Sequence, residues 1–242
     1  MITSSNPLTI LHLYPREMNL YGDHGNVLCL RRRLEWRGIP VRVLPLETGD
    51  PFPDRADILF GGGGQDSGQS RIEEDLLKRG DKIRSLIEEG TPALFICGLY
   101  QLLGREFLPL EGAPIRGIGV FPAHTAAGRE RLVGNITIDA PPFGPVTGFE
   151  NHSGRTYLEG AAVPFGRVLR GKGNNGRDHT EGIRCKNCIG TYLHGPILPK
   201  NPAVADFLIL TALRRRDPAA VLAPLDDAVE EAAAKSAVAR PV

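Results

Sequence analysis

The first hundred residues alternate between short apolar β-type runs and longer helical stretches, and that rhythm restricts the chain to few architectures. Leu8 to Tyr14 is a short apolar run. His24 to Trp36 follows, with Val27, Leu28, Leu30 and Leu34 at helical spacing. Gly38 ends that stretch, and Val41 to Leu44 resumes β character. Asp57 to Phe60 is another short run, stopped by Gly61-Gly62-Gly63-Gly64. Ser70 to Glu89 reads as a long polar helix with Ile72, Leu76, Leu77, Ile83, Leu86 and Ile87 as its inner stripe. Ala93 to Ile96 then runs straight into Cys97. This β-α-β-β-α-β-α order predicts an α/β fold, a mostly parallel sheet flanked by helices. Sites in such sheets gather beyond the carboxyl ends of the strands.

The pattern changes after Gly117. Gly117 to Phe121, Leu132 to Ile138, Val146 to Phe149, Phe165 to Leu169, Gly182 to Ile183 and Ile189 to Leu193 read as strands joined by Pro/Gly turns. Ala203 to Arg214 reads as a helix. No linker interrupts this order, so residues 1–215 are expected to form one domain with β-rich elaborations in the second half. Residues 216–242 are expected to form a tail, helical or partly disordered.

Composition excludes several classes. A net charge of +1 gives no footprint for nucleic acid or an anionic membrane. No apolar run approaches the roughly 20 residues that a bilayer span needs. Met1 to Asn6 carries no basic, leader-like block, and four cysteines do not make a disulfide framework. The expected location is the cytoplasm.

The chemistry centres on Ile96-Cys97-Gly98. A nucleophile placed between a core strand and a helix start has the form of an elbow: a tight turn lifts the side chain off the sheet. The helix N-terminus there favours a thiolate. A thiol nucleophile needs a base. Of the six histidines, His194 follows the strand-like Ile189 to Leu193 and precedes Gly195-Pro196, a placement on the same rim as Cys97. His152, in Glu150-Asn151-His152-Ser153-Gly154, reads as part of a turn with a binding role. The glycine run Gly61–Gly64 suits either a phosphate cradle or an oxyanion hole completed by the N–H of Gly98. It lacks the Gly-Lys-Ser/Thr and GxGxxG spacings of phosphate loops, and an elbow cysteine requires the hole. Cys185-Lys186-Asn187-Cys188 is a lone CxxC, short of the four ligands of a structural zinc site, and reads as two strand thiols.

Taken together, the Ile96 to Gln101 segment, the Gly61 to Asp66 loop and Thr191-Tyr192-Leu193-His194-Gly195-Pro196 resemble the class I glutamine amidotransferases of the cobyric-acid-synthase-like branch. Asn19 to Asn26, Gly148 to His152 and Thr191 to Asn201 are similar in particular to glutaminase subunits that serve lipid II amidation. The resemblance runs from about Leu8 to about Leu213. It implies a flavodoxin-like sheet and hydrolysis of L-glutamine through a thioester on Cys97, with His194 as base. It further implies Gly63, Gly64 and Gln65 as the oxyanion and substrate loop, and Arg131 as the holder of the glutamine α-carboxylate. The implied partner is a Mur-ligase-like subunit in a heterodimer. That partner would carry ATP and Mg and meet lipid II, leaving no cofactor or metal in this chain. Two departures stand out. Many members place Glu two residues after the histidine, where this chain has Pro196; Asp23, after the first strand, is the candidate replacement. Phe95 and Leu99 occupy positions where many relatives carry glycine. The resemblance also allows a cobyrinate-type or other glutamine amidotransferase subunit, and the residues alone also suit a cysteine peptidase of the same sheet architecture or a binding module with an inert Cys97.

Overall fold

A computed structural model describes residues 6–240. The opening Met1–Ser5 and the terminal Pro241–Val242, on which the leader and tail expectations partly rest, lie outside the described residues. The chain runs β1 (Leu8–Leu13), α1 (His24–Glu35), β2 (Val41–Leu46), β3 (Ile58–Gly61), α2 (Asp66–Glu88), β4 (Ala93–Ile96) and α3 (Gly98–Leu103). Next come β5 (Glu106–Leu108), β6 (Ile115–Arg116), β7 (Ala123–Asp139), β8 (Pro145–Leu158), β9 (Gly166–Arg170) and β10 (Thr180–Glu181). The hairpin β11 (Ile183–Cys185) and β12 (Cys188–Thr191) precedes helices α4 (Pro202–Arg216) and α5 (Ala228–Ala239).

One sheet has the order β11-β12-β4-β3-β1-β2, all parallel except the edge strand β11. From β2 to β12 this is the 2-1-3-4-5 order of the flavodoxin-like folds. The sequence dictates it through burial. Strands β1, β3, β4 and β12 are wholly buried and mostly apolar, with Thr9, His12 and Thr191 as buried polar residues, which requires helices on each side. Strand β2 is half-buried or exposed except at Leu46 and contains Pro45, which a sheet edge tolerates. Helix α2 turns Ile72, Leu76, Ile83 and Ile87 inward at helical spacing. On the other side Arg33, buried in α1, reaches Asp206 of α4 at 2.7 Å and Asp227, just before α5, at 2.5 Å. That pair of contacts ties the C-terminal segment to the body.

The second sheet, β10-β9-β7-β5-β6 with β8 on β7, stands beside the first. The hairpin of β7 and β8 is much longer than the separate runs Leu132 to Ile138 and Val146 to Phe149 suggest. Its register breaks between Ala127 and Leu132. Two expectations need correction. Gly117 to Phe121 is not a strand: its N–H groups at Ile118 and Phe121 bond the carbonyls of Leu102 and Leu103, closing the C-terminal end of α3. Glu150 to Gly154 is not a turn but the interior of β8. Glu150 and His152 lie on its buried face, and the Glu150 carboxylate accepts from the N–H groups of Lys172 and Gly173.

Phe95 and Leu99 find room through Gly61 on the neighbouring strand. A Cβ at Gly61 would lie 2.3 Å from Leu99 Cδ1 and 3.1 Å from Phe95 Cδ1. Glycine at position 61, on β3, gives the bulky side chains at the elbow their room. Gly61→Ala should therefore destabilise the fold by about 1–3 kcal/mol through overpacking. Thermal denaturation checks this, and an unchanged melting temperature would contradict the compensation.

Candidate active site

Four of the five parallel strands, β1, β3, β4 and β12, lead from their carboxyl ends into segments of the site. Asp23 follows β1, after a 3-10 turn over Leu20–Gly22, and stands at the start of α1. The Gly62-Gly63-Gly64 loop follows β3, Cys97 ends β4, and His194 lies just beyond β12.

Cys97 has φ 48° and ψ −101°, the left-handed region that costs a residue with a Cβ on the order of 1–3 kcal/mol. The strain is held by its flanks: its N–H donates to Thr191 O, and its carbonyl accepts from Gln101 N–H in the first turn of α3. The side chain is 7% exposed. Among the described residues, the Gly98 N–H and the Gly64 N–H have no partner. They are neighbours: a Cβ on Gly98 would lie 2.8 Å from Gly64 N. Two free donors beside a thiol form the geometry of an oxyanion hole.

His194 is fully buried. Its position is fixed by reciprocal backbone bonds with Phe149 and by Asp23, whose Oδ1 lies 3.1 Å from Nδ1. The other Asp23 oxygen accepts the Gly63 N–H at 2.7 Å. One carboxylate therefore fixes both the imidazole and the glycine loop. Of the loop residues expected to face the ligand, Gly63 turns its amide to Asp23, whereas Gly64 and Gln65 line the cavity. A Cβ at Gly63 would fall 2.8 Å from His194 Cε1 and 3.2 Å from Cys97 Cβ, so glycine alone lets thiol and imidazole close on this loop. Burial disfavours an imidazolium at His194. The negative charge on Cys97 and the Asp23 carboxylate outweigh that and raise its pKa to about 10. The acid that sequence motifs would place at Pro196 comes instead from the far end of the chain.

The cavity above Cys97 has a volume of about 460 Å³. Arg131 stands at its mouth, in the irregular stretch of β7. Its Nε donates to Asn151 Oδ1 at 2.8 Å and its Nη2 to Asn151 O at 2.8 Å, leaving Nη1 without a partner among the described residues. Tyr21, with φ 55°, packs its ring edge-on against His194 at 4.9 Å and carries its hydroxyl 3.4 Å from Arg131 Nη2. Sequence patterns do not reveal Gln69 among the lining residues. Gln69 on α2 donates from Nε2 to Gln101 Oε1 at 2.8 Å, a pairing between helices with no local signature. His152 stacks on Tyr192 with ring centroids 3.6 Å apart. Desolvation lowers the His152 pKa to about 3, so the ring is neutral.

Outside this cluster the chemistry-bearing residues are quiet. Cys185 and Cys188 are free thiols facing each other across the β11–β12 hairpin. Among the described residues there is no cluster of three or more metal-ligating side chains, and no helix is long and apolar enough to cross a membrane.

Residues 9–202 match the model of the CobB/CobQ-like glutamine amidotransferase domain. The chain is 43% identical over 210 residues to the lipid II isoglutaminyl synthase (glutamine-hydrolyzing) subunit GatD of Staphylococcus aureus, covering 86% of each. It is 41% identical to the protein of the same name from Streptococcus pneumoniae, covering 86% of this chain and 82% of that one. A probable cobyric acid synthase of Methanopyrus kandleri is 33% identical over 64% of this chain, but that match covers only 34% of the larger protein. Among solved structures, PurLQS from Thermotoga maritima superposes with a TM-score of 0.60 at 14% identity, covering 87% of this chain and 99% of that one, a likeness of fold.

Proposed function

The chain belongs to the CobB/CobQ-like glutamine amidotransferase family, and on that premise we propose that it is the glutaminase subunit of a lipid II isoglutaminyl synthase. The observation that carries this reading is the near full-length identity of 43% and 41% to two GatD subunits. The cobyric acid synthase relative offers no comparable span.

The site residues support a thioester route. The Cys97 thiolate attacks Cδ of L-glutamine, and the carbonyl oxygen becomes an oxyanion held by the Gly64 and Gly98 N–H groups. The His194 imidazolium gives its proton to the amide nitrogen, the C–N bond breaks and ammonia leaves. A water molecule, deprotonated by His194, then cleaves the γ-glutamyl thioester to glutamate and the free thiol. Asp23 keeps the imidazole oriented through both half-reactions. The acceptor chemistry lies elsewhere: this chain has no Walker A or kinase-type loop, so a Mur-ligase-like partner holding ATP and Mg would activate the D-glutamate α-carboxyl of the lipid II stem. The complex would work in the cytoplasm, and this chain would meet lipid II only through the partner.

Arg131 suits the glutamine α-carboxylate, with Nη1 free and the rest of the guanidinium braced by Asn151. Arg131→Ala should raise KM for glutamine more than it lowers kcat, because a clamp contributes uniform binding. An unchanged KM in a folded variant would make Arg131 a surface residue. The function itself is tested by mixing the chain with its ligase partner, lipid II, ATP and glutamine and following the stem peptide by mass spectrometry. Amidation that requires both chains is the expected result. Amidation by this chain alone, or none while free ammonia still supports the partner, would overturn the assignment.

A further inference from the structure

The segment that carries the base leaves its sheet before it reaches the site, and its buried backbone has to be satisfied elsewhere. β12 ends at Thr191, so the N–H groups of Tyr192 and Leu193 lie beyond its ladder. One side chain meets both, directly or through a hydroxyl. Glu181, wholly buried at the end of β10 in the second sheet, accepts the Tyr192 N–H on Oε1 at 2.7 Å. Its Oε2 lies 2.9 Å from Thr191 Oγ1, and that hydroxyl oxygen accepts the Leu193 N–H at 3.1 Å. The Thr191 hydroxyl therefore turns its own proton to the Glu181 carboxylate. Thr191 also accepts the Cys97 N–H on its carbonyl at 2.8 Å, and His194, next along the chain from Leu193, is bonded both ways to Phe149. Nucleophile and base are thus tied to one short segment, and that segment is tied to Glu181. Gly182 permits the close approach: its φ is 62°, and a Cβ there would fall 2.4 Å from Gly190 O of β12.

We infer that Glu181 is a positioning residue of the glutaminase site: through its two hydrogen bonds it fixes residues 191–193, and through them the distance and angle between the Cys97 thiol and the His194 imidazole. The kinetic side of this assignment rests on the glutaminase reading; the geometric side does not. Glu181 lies outside the cavity lining and touches neither substrate nor the reacting atoms. Burial raises its pKa to about 8, against the opposing pull of the Tyr192 N–H and the Thr191 hydroxyl. A carboxyl so deeply buried is costly to keep for its charge, and its value lies in the groups it holds. A neutral amide fits the same place, with its oxygen on the Tyr192 N–H and its NH2 group toward Thr191 Oγ1. A methyl group in its place leaves the Tyr192 N–H and the Thr191 hydroxyl proton buried without an acceptor. The loosened segment then passes its slack to both reacting groups. The Cys97 backbone, at φ 48°, is held in part by Thr191 O, and His194 follows two residues after Tyr192. A misplacement of about 1 Å at reacting atoms costs on the order of 10²-fold in rate.

The test measures glutamine hydrolysis, and the rate at which iodoacetamide alkylates Cys97, in the wild type, Glu181→Ala, Glu181→Gln and Thr191→Val. Alanine removes both bonds, glutamine keeps the one to Tyr192, and valine keeps the shape of threonine without its hydroxyl. Glu181→Ala should lower kcat by about 10- to 100-fold and change KM for glutamine by less than about twofold, because the substrate contacts are untouched. Glu181→Gln should recover kcat to within about fivefold of the wild type, and Thr191→Val should lose about tenfold. Alkylation of Cys97 should slow in Glu181→Ala and Thr191→Val, since an imidazole out of register no longer holds the thiolate. A loss carried by KM, a glutamine variant as poor as the alanine one, or alkylation at the wild-type rate in the folded alanine variant would overturn the inference. Circular dichroism reports folding. If Glu181→Ala does not fold, Thr191→Val decides by the same measures. If neither folds, the inference is overturned, because Glu181 then serves the fold as a whole. A wild type that hydrolyses no glutamine, alone or with its partner, refutes the glutaminase reading, and the alkylation rates still decide whether Glu181 positions the Cys97 and His194 pair.

Discussion

Cys97→Ser should abolish glutamine hydrolysis, by more than about 10³-fold, while the fold survives. The reasoning begins with acidity: a serine hydroxyl beside His194 is not ionised at neutral pH, and the reaction starts from an anion. Size argues the same way. Serine is smaller than cysteine, and the Cys97 backbone is held by Thr191 O and by the first turn of α3, contacts the side chain does not make. The variant should therefore melt near the wild type and still bind glutamine. Residual activity above a few per cent, with reversion and contamination excluded, would remove Cys97 from the chemistry.

The second large effect lies at the His194 and Asp23 pair. His194→Ala should cost on the order of 10²-fold or more, since it removes the group that protonates the leaving nitrogen and later activates water. Asp23→Asn separates orientation from acidity. Both Asp23 oxygens act as acceptors, one toward His194 Nδ1 and one toward the Gly63 N–H. An amide has a single oxygen, so it must turn an NH2 group against one of two donors, and the rate should fall without unfolding the chain. The pH profile gives a sharper sign. With Asp23 present the His194 pKa is raised to about 10, and the imidazolium needed for ammonia departure is lost only as pH rises through that value. Removing the carboxylate charge lowers the His194 pKa, so the alkaline limb of kcat should move to lower pH. Unchanged rate and profile in Asp23→Asn would leave a Cys–His dyad as the working unit.

How legible this site is in the sequence depends on the kind of interaction. The parallel sheet is readable because β3 and β4 are uninterrupted apolar runs closed by glycine or by a helix start, and β1 is a mostly apolar run. The elbow is readable because Cys97 sits at the seam between such a run and a helix. Asp23 is readable only indirectly, through the missing carboxylate at Pro196; its bond to His194 spans 171 residues and leaves no periodic trace. Strand β8 is the instructive failure. Its segment Glu150 to Gly154 is polar and looks like a turn, yet the Glu150 and His152 side chains are both buried: backbone N–H groups hold the Glu150 carboxylate, and the Gly154 carbonyl accepts from His152 Nδ1. Hydropathy carries no record of such partners. The hairpin of β7 and β8 is hidden for a related reason, because the charged Arg129-Glu130-Arg131 interrupts the alternation where the register breaks. That break carries Arg131 to the cavity. The pairing of Gln69 with Gln101 joins two helices and follows from topology, not from any spacing.

The central claim is that glutamine becomes covalently attached to Cys97. Incubate the protein with L-glutamine, quench in acid within the first turnovers, digest, and examine the peptide that contains Cys97 by mass spectrometry. The account predicts a γ-glutamyl adduct on Cys97 that is absent from Cys97→Ser and that accumulates when Asp23→Asn slows its hydrolysis. Glutamate formed at the normal rate with no adduct on Cys97 in either protein, or an adduct on a different residue, would contradict it.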